Sequence, residues 1–384
     1  MQIKFFVVTV FSVITSLVLA QKPKPPIIGW SSWNHFRINI SEEMIKGQAD
    51  AMISSGLYDA GYRYINIDDG YFLQRDSSGK LLTNDKKFPS GMKALAAYIH
   101  SKGLKAGIYT DAGINTCGSI WDNDPYGLGV GIYGHIEQDC DLFFNQWNYD
   151  FIKVDWCGGE QQKLDEETEY TKIINAAKAI KPDIVFNVCR WKFPGEWAIK
   201  KADSWRISGD ITDQFTAILN IVDLNADLFG YASPGHYNDM DMLQVGRGMS
   251  YEEDKTHFSM WCMMNSPLLA GNDLRNMSKE TTEILSNKEL IAINQDIAFV
   301  QAKRILKDGD IEVWIKHLSK SKQKAIAIMN RADKEQPFTL TAAKVSVSQK
   351  NKLRDLWQHK NLGKISDKKK FILPAHGIVV LTTW

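Results

Sequence analysis

Short apolar runs recur along residues 1–300, and each ends in polar or aromatic residues. Eight such runs begin at Pro25, Tyr62, Leu104, Tyr149, Asp183, Asp203, Gly235 and Ser266. Stretches with helical periodicity separate them, and residues 41–57 are an example, with Ser41 as a potential N-cap. Parallel strands that are covered on both faces have this nearly continuous apolar character. The pattern predicts a (β/α)8 TIM barrel, and an open doubly wound sheet is the alternative.

The pattern changes after about Asp296. Strand-like segments then follow one another with turns between them and without long helices; they begin near Asp310, Lys324, Gln336 and His376. They predict a small antiparallel β-domain over residues 299–384, after a barrel domain over residues 21–298.

The charge is distributed unevenly between these two parts. From Gln301 onward the chain has 18 Lys and Arg residues but only 7 Asp and Glu residues, although its overall net charge is +1. We interpret this surplus as a solvated basic face of the small domain, and an anionic partner surface is the alternative. The near-neutral total argues against nucleic-acid binding.

The first twenty residues have the pattern of a signal peptide. Lys4 precedes an apolar stretch that starts at Phe5, and small residues lead to a potential cleavage site after Ala20. We therefore expect residues 1–20 to be removed, the mature chain to have no membrane span, and the protein to be exported to the periplasm or the extracellular space. Export permits disulfides, and with five cysteines at least one remains unpaired.

Acidic residues and tryptophans stand near the ends of the predicted strands, where barrel enzymes carry their catalytic groups. This set comprises Asp68, Asp69, Asp111, Asp155, Asp210, Asp239, Asp241, Trp33, Trp156, Trp191 and Trp205. Carboxylates accept hydrogen bonds from hydroxyl groups, and aromatic rings pack on the apolar faces of sugar rings. Together these residues indicate a sugar-binding site.

Strand alternation assigns roles to two of the carboxylates. Lys153, Asp155 and Cys157 are spaced by two residues, so they share one face of a strand. The ammonium group of Lys153 should lower the pKa of Asp155 and keep it ionised, as a nucleophile requires. Arg206 and Asp210 share a face of another strand. Glycoside hydrolysis needs one ionised and one protonated carboxyl group, which Asp155 and Asp210 would supply.

The order of the motifs resembles that of a known family. The segments GWSSWNHF, YINIDDGY, GLKAGIYTDAG, TCGS, DFIKVDWCGG, SWRISGDI, YNDMDML, SPLLAGNDLR and IAINQD occur between about residues 27 and 296. Their series is similar to that of the α-galactosidases of glycoside hydrolase family 27. The segments DLWQHKNLG and LPAHGIVV resemble the C-terminal β-sandwich of the same family.

This resemblance implies a retaining exo-glycosidase that removes terminal α-D-galactosyl residues from glycans without a cofactor or metal. It implies that Asp155 is the nucleophile and Asp210 the acid/base. The sugar-contacting positions would be Trp33, Asp68, Asp69, Lys153, Cys189, Trp191, Arg206 and Met242. A disulfide would join Cys117 to Cys157.

Some positions depart from the family pattern. Tyr71 stands where Trp is common, Arg190 stands where Glu is common, and Trp156 replaces a common Asn. By alternation, Arg190 should point away from Cys189 and Trp191. The segment from Ile120 to His135 is longer than usual. We expect these departures to affect the leaving-group side of the site rather than the galactose side.

Other functions share parts of this pattern. A β-L-arabinopyranosidase could use the same carboxylates, because L-arabinopyranose is galactose without its C6 group. Asp68 and Asp69 have no basic neighbour in sequence, so we expect the 4- and 6-hydroxyls of galactose to satisfy them and α-D-galactosides to be the better substrates.

Two further alternatives belong to other classes. A metal-dependent enzyme could use His236, Asp239 and Asp241, although their spacing matches no recognised metal site. A non-catalytic sugar-binding protein would be expected to lack Asp155 or Asp210, and the chain has both. The sequence gives no prediction of oligomeric state.

Overall fold

The computed structural model describes residues 23–320, 322–366 and 368–384. The predicted signal peptide, residues 1–20, lies outside these ranges. Within them, we find no helix with the length and apolar character needed to cross a membrane.

The barrel is a closed parallel sheet. In the described part of the chain up to Ala270, the strands are β1 (Ile28–Ser31), β2 (Tyr64–Asn66), β3 (Phe72–Arg75), β4 (Leu81–Thr83), β5 (Lys105–Asp111), β6 (Phe151–Asp155), β7 (Val185–Val188), β8 (Ser204–Arg206), β9 (Tyr237–Asp239) and β10 (Leu268–Ala270). Eight of them pair in the order β10-β1-β2-β5-β6-β7-β8-β9. A parallel bridge between Leu243, which follows β9, and Ala270 of β10 joins the two edges. The predicted TIM barrel is confirmed, and its strands coincide with the eight apolar runs.

Helices connect the strands. The described residues form α1 (Trp33–Phe36), α2 (Glu42–Ser54), α3 (Leu57–Ala60), α4 (Gly91–Ser101), α5 (Cys117–Trp121), α6 (Ile136–Cys140), α7 (Cys157–Gln161), α8 (Glu166–Ile180), α9 (Glu196–Ile199), α10 (Phe215–Asp227), α11 (Tyr251–Met263), α12 (Lys279–Leu285) and α13 (Lys288–Asn294). The predicted N-cap is present, because the Ser41 hydroxyl accepts a hydrogen bond from the Met44 amide at 3.2 Å. The antiparallel pair β3–β4 lies outside the barrel sheet and was not predicted.

The C-terminal domain contains two antiparallel sheets. Its strands are β11 (Lys303–Asp308), β12 (Ile311–His317), β13 (Lys324–Asn330), β14 (Gln336–Leu340), β15 (Lys352–Asp355), β16 (Lys360–Lys364), β17 (Lys369–Leu373) and β18 (Ile378–Thr383). Six of them form one sheet in the order β11-β12-β13-β18-β15-β16, and β14 pairs with β17. Val313 and Ile326 of the larger sheet pack with Phe338 and Leu373 of the smaller one. The antiparallel β-sandwich is confirmed.

The opposite face of the larger sheet packs on the barrel. Trp314, Ala327 and Val380 belong to the apolar core that the barrel helices share, as expected for residues that alternate with those of the sandwich core. The buried Lys316 donates hydrogen bonds from this sheet to the Cys262 carbonyl at 3.3 Å and the Ile293 carbonyl at 2.6 Å. The two domains are therefore joined by a continuous core.

Charged residues also cross the domain boundary. Asp223 of α10 forms ion pairs with Arg304 at 2.7 Å and with Arg331 at 2.8 Å. Glu289 of α13 pairs with Arg354 at 2.6 Å. Part of the basic surplus of the small domain thus pairs with acidic residues of the barrel, a role that the sequence interpretation did not include.

Candidate active site

A cavity of about 270 Å³ opens at the carboxyl ends of the barrel strands. Of the residues predicted for the site, it is lined by Trp33, Asp68, Lys153, Asp155, Trp191 and Asp210. They come from the ends of five different strands or the loops that follow them, which is why no short segment of the sequence contains the site. The two carboxyl groups predicted to do the chemistry therefore border one space.

Strand β6 sends alternate residues to opposite sides. Ile152 and Val154 pack in the core around the barrel, whereas Lys153 and Asp155 face the cavity. Lys153 Nζ lies 3.0 Å from Asp68 Oδ2 and 3.7 Å from Asp155 Oδ2. The Trp156 amide donates a hydrogen bond of 3.1 Å to Asp155 Oδ1. Asp155 is thus held in position, with only 4% of its surface exposed.

The electrostatics of the two carboxyl groups differ from the prediction. Burial raises the pKa of Asp155 above its ordinary value, and Lys153 offsets this only in part. For Asp210, partial loss of solvent around the carboxyl group opposes ionisation, but Arg206 and Lys153 outweigh this effect and lower its pKa. Lys153 lowers the pKa of Asp155 as predicted, but burial outweighs it, so the net shift is upward instead of downward. The lowered pKa of Asp210 is the opposite of the shift expected for a proton donor, because the guanidinium of Arg206 lies beside it.

That guanidinium belongs to Arg206, which is 3% exposed. Its Nη2 atom lies 2.6 Å from Asp241 Oδ2 and 3.1 Å from Asp210 Oδ1, and its Nη1 atom lies 3.7 Å from Cys189 Sγ. Burial raises the pKa of Asp241 to about 6, although Arg206 opposes this. The side chain of Asp210 is 61% exposed, so it stands at the mouth of the cavity.

The adjacent residues Asp68 and Asp69 have different surroundings. Asp68 lines the cavity and bonds to Lys153. Asp69 is completely buried, and its two oxygens accept hydrogen bonds from the amides of Gly70 at 2.8 Å and Gly118 at 2.7 Å. Its burial raises its pKa to about 7. The premise that Asp69 has no hydrogen-bond partner within the protein is therefore wrong, because two backbone amides donate to its carboxyl group.

Three other predicted sugar-contacting residues lie away from the open cavity. Cys189 is fully buried, and Met242 is 5% exposed. Met242 and Arg206 border a second, small cavity of about 20 Å³ inside the barrel, together with Asp68 and Lys153. These residues shape the surroundings of the site from within the barrel, where their side chains are covered.

The residues that depart from the family pattern serve local packing. Arg190 is not among the residues that line the cavity, and its Nε atom lies 2.6 Å from Glu166 Oε1. Its guanidinium lies 5.6 Å from the centre of the Trp191 ring, so the prediction that it points away from Trp191 is wrong. Trp156 is 2% exposed and stacks on Tyr170 with ring centroids 5.0 Å apart.

Trp191 has a backbone φ of 61°, in the left-handed region that is unfavourable for a large side chain. Strain of this kind is commonly found at functional sites.

A disulfide joins Cys117 to Cys157, the pair that the family resemblance implies. It links the start of α5 to the residue that begins α7, directly after β6. The three other cysteines are unpaired and buried. Asp111 lies beside the disulfide, and this trio is the one group of potential metal ligands in the described ranges, but both of its sulfur atoms are already bonded to each other.

The residues of the metal-dependent alternative do not converge. His236 precedes β9, and its ring Nδ1 lies 2.6 Å from the Ala202 carbonyl. Asp239 and Asp241 are at the opposite end of the same strand, where Asp241 pairs with Arg206. The arrangement favours a structural role for His236.

The sequence analysis missed several residues of the cavity wall. Arg37 lies 4.2 Å above the ring of Trp33 and pairs with Asp122 at 2.8 Å. Tyr109, which precedes Asp111 on β5, also lines the cavity, as does Trp121, which is 69% exposed. The alternation of β5 could have indicated Tyr109, whereas Arg37 directly follows the short helix α1 and Trp121 ends the short helix α5, and neither helix is long enough to show a periodic pattern.

Comparison with known proteins gives consistent results. A family profile described as alpha galactosidase A matches residues 25–296, and one described as the alpha galactosidase C-terminal beta sandwich domain matches residues 308–383. Alpha-galactosidase A of Cellvibrio japonicus is 42% identical, over 94% of this chain and 92% of the relative.

Solved structures have the same architecture. Alpha-galactosidase I of Mortierella vinacea is 33% identical, with a TM-score of 0.87 over 94% of this chain and 96% of that one. A β-L-arabinopyranosidase of Geobacillus stearothermophilus has a TM-score of 0.82 over 94% of this chain and 96% of its own, but it is only 23% identical, so that likeness concerns the fold alone.

Proposed function

The chain belongs to the α-galactosidase family, and from this premise we propose that it hydrolyses terminal α-D-galactosyl residues with retention, using Asp155 as nucleophile and Asp210 as acid/base. The observation that carries the proposal is that Asp155 and Asp210 border the same cavity at the carboxyl ends of the barrel strands. The buried carboxyl group suits the attacking role at the sugar carbon. The exposed one suits proton exchange with the leaving group and with water.

In the first step, an oxygen of Asp155 attacks the anomeric carbon of galactose. The bond from that carbon to the glycosidic oxygen breaks, and Asp210 donates a proton to this oxygen, so that the aglycone leaves as an alcohol. In the second step, Asp210 removes a proton from a water molecule, which attacks the anomeric carbon of the galactosyl ester. Galactose is released with its original configuration, and Asp155 is again a carboxylate.

The pKa directions of the free site are compatible with this cycle. A bound galactoside would cover the exposed side chain of Asp210, and loss of water raises the pKa of a carboxyl group. Formation of the ester removes the negative charge of Asp155, which lowers the pKa of Asp210 again and prepares it to act as a base. The proton therefore moves because the neighbouring charges change during the reaction.

Other cavity residues would orient the sugar. Asp68 is fixed by its bond to Lys153 and by the Ser32 hydroxyl, which accepts a hydrogen bond from the Asp68 amide at 2.9 Å. Its carboxylate can accept hydrogen bonds from galactose hydroxyls. Trp33 and Trp191 would pack on the apolar face of the ring. Arg206 would act from beneath by holding Asp210.

We also propose that the protein acts outside the cytoplasm and needs no metal. The pattern of residues 1–20 supports export, and a disulfide beside the site suits an oxidising compartment. The carboxyl pair can supply both covalent and proton-transfer chemistry, so the scheme contains no step that requires a Lewis acid.

The alternative activity, hydrolysis of β-L-arabinopyranosides, is measured in the same test. Because Asp69 is satisfied by backbone amides, it gives no reason to prefer a sugar with a 6-hydroxyl, and the preference for galactose depends on the relatives. The test is a panel of nitrophenyl α- and β-glycosides, assayed with and without a chelator. We expect the highest kcat/KM for α-D-galactoside and no effect of the chelator; faster turnover of β-L-arabinopyranoside, or activity that a divalent ion restores after chelation, would contradict the proposal.

A further inference from the structure

Trp121 is the largest exposed apolar side chain that borders the catalytic cavity. It is 69% exposed, and it lines the same space as Asp155 and Asp210. An indole in water at the edge of a reaction site, rather than in the core, is typical of a surface that receives a ligand. Nothing in the proposed galactosyl chemistry uses it.

Helix α5, which ends at Trp121, is anchored at both of its ends. Helix α5 begins at Cys117, which is bound to Cys157 beside the nucleophile. The next residue after Trp121 is Asp122, whose carboxylate accepts hydrogen bonds of 3.0 and 2.8 Å from Arg37. The indole is therefore attached to a braced segment, and less conformational entropy is lost when a ligand binds to it.

The position of Trp121 relates to the leaving group rather than to galactose. Asp210 must reach the glycosidic oxygen, and its side chain stands at the exposed mouth of the cavity. The aglycone therefore lies at this mouth, where Trp121 is also exposed. Arg37 and Asp122 provide polar groups beside the indole, so the surroundings suit a ring with an apolar face and a hydroxylated edge.

We propose that Trp121 is the platform of an aglycone subsite that stacks on a pyranose ring next to the scissile bond. The subsite makes the enzyme selective for galactosyl oligosaccharides over galactosides without a ring-shaped aglycone. This inference depends on the proposed function, because it concerns the leaving group of the same reaction.

The test compares two substrates in Trp121→Ala and in the wild-type protein. One substrate is a galactosyl-α-1,6-glucose disaccharide, whose aglycone is a pyranose; the other is α-galactosyl fluoride, which has no aglycone ring. We expect kcat/KM to fall about tenfold for the disaccharide and to stay within about twofold for the fluoride. A tenfold change corresponds to about 1.4 kcal/mol, which is the contribution of roughly 55 Å² of apolar contact.

Further variants control for indirect effects. Trp121→Phe keeps an aromatic face and should retain most of the disaccharide activity. Trp121→Gln provides the same test if the alanine variant does not fold. Trp384→Ala removes another exposed tryptophan, which is 41% exposed at the end of the chain, and should leave kcat/KM unchanged for both substrates.

The outcomes separate this inference from the proposed function. If the wild-type protein hydrolyses neither substrate, the proposed function fails. If the wild-type protein hydrolyses the fluoride but Trp121→Ala lowers kcat/KM equally for both substrates, or for neither, the proposed subsite is wrong. The exposed Tyr126 and Leu128 follow Trp121 within seven residues of the chain, so a loss of self-association in the variant without the substrate-specific effect would assign this surface to a second copy of the chain instead.

Discussion

Replacing Asp69 by Asn tests whether this carboxyl group is structural. The pKa of Asp69 is raised from 3.8 to about 7 because the side chain is completely buried. Between these two values the folded protein keeps a proton that the unfolded chain has lost. The contribution of Asp69 to the free energy of unfolding therefore decreases as pH rises from about 4 to about 7, by about 1.4 kcal/mol per unit or roughly 4 kcal/mol in total. An asparagine does not ionise and lacks this contribution.

The assay is urea unfolding of the wild-type protein and Asp69→Asn at about pH 4.5, 6 and 8. The difference in unfolding free energy, wild type minus variant, should decrease by roughly 3 kcal/mol between about pH 4.5 and pH 8. A difference that stays constant or increases with pH would refute the reasoning. It would mean that the amides of Gly70 and Gly118 stabilise the carboxylate more than burial opposes it.

The same variant also tests substrate choice. Because Asp69 is completely buried and is not among the residues that line the cavity, Asp69→Asn should change kcat/KM for α-D-galactoside and β-L-arabinopyranoside by the same factor. The matched control is Asp68→Asn, an identical change at a residue that lines the cavity, which should lower activity strongly. If Asp69→Asn lowered kcat/KM only for the galactoside, the carboxylate would have to contact the C6 hydroxyl group, contrary to its buried position in this structure.

Further predictions concern catalysis and stability. Asp210→Asn should slow the hydrolysis of methyl α-galactoside by about 10²- to 10⁴-fold. It should slow the hydrolysis of dinitrophenyl α-galactoside much less, because a good leaving group needs little protonation. Equal slowing of both reactions would argue against an acid role for Asp210. Replacing Cys117 and Cys157 by Ser should lower the free energy of unfolding by about 3–4 kcal/mol, since the disulfide closes a loop with a sequence separation of 40 residues, and unchanged denaturant unfolding would contradict this. Lys316→Met should cost about 2–4 kcal/mol, because it leaves buried carbonyl oxygens without a donor, and a calorimetric scan with an unshifted transition would contradict it.

Local patterns in the sequence were sufficient for the barrel and for the direction of many side chains. Ile152 and Val154 pack outside the barrel sheet while Lys153 and Asp155 face the cavity, as the period of a strand dictates. The cap at Ser41 depends on residues within one turn of the helix. The eight strands could be predicted because each is a short apolar segment with its own boundaries.

Contacts between distant segments could not be predicted in this way. One of the two amides that donate to Asp69 belongs to Gly118, 49 residues later, and no local pattern indicates this contact. The pKa of Asp155 is raised first by burial, and Lys153, which opposes this, also bonds to Asp68, 85 residues earlier. The directions of the pKa shifts thus depend on distances in the folded protein, which strand periodicity does not predict.

The central claim is that Asp155 forms a covalent bond to galactose. It can be tested with a fluorinated α-galactosyl fluoride, in which the fluorine on the ring slows hydrolysis of the glycosyl-enzyme more than its formation. After digestion and mass spectrometry of the inactivated protein, we predict one added fluorogalactosyl group, bound as an ester to Asp155. A label on a different residue, or turnover without any covalent adduct and with an inverted first product, would contradict the account.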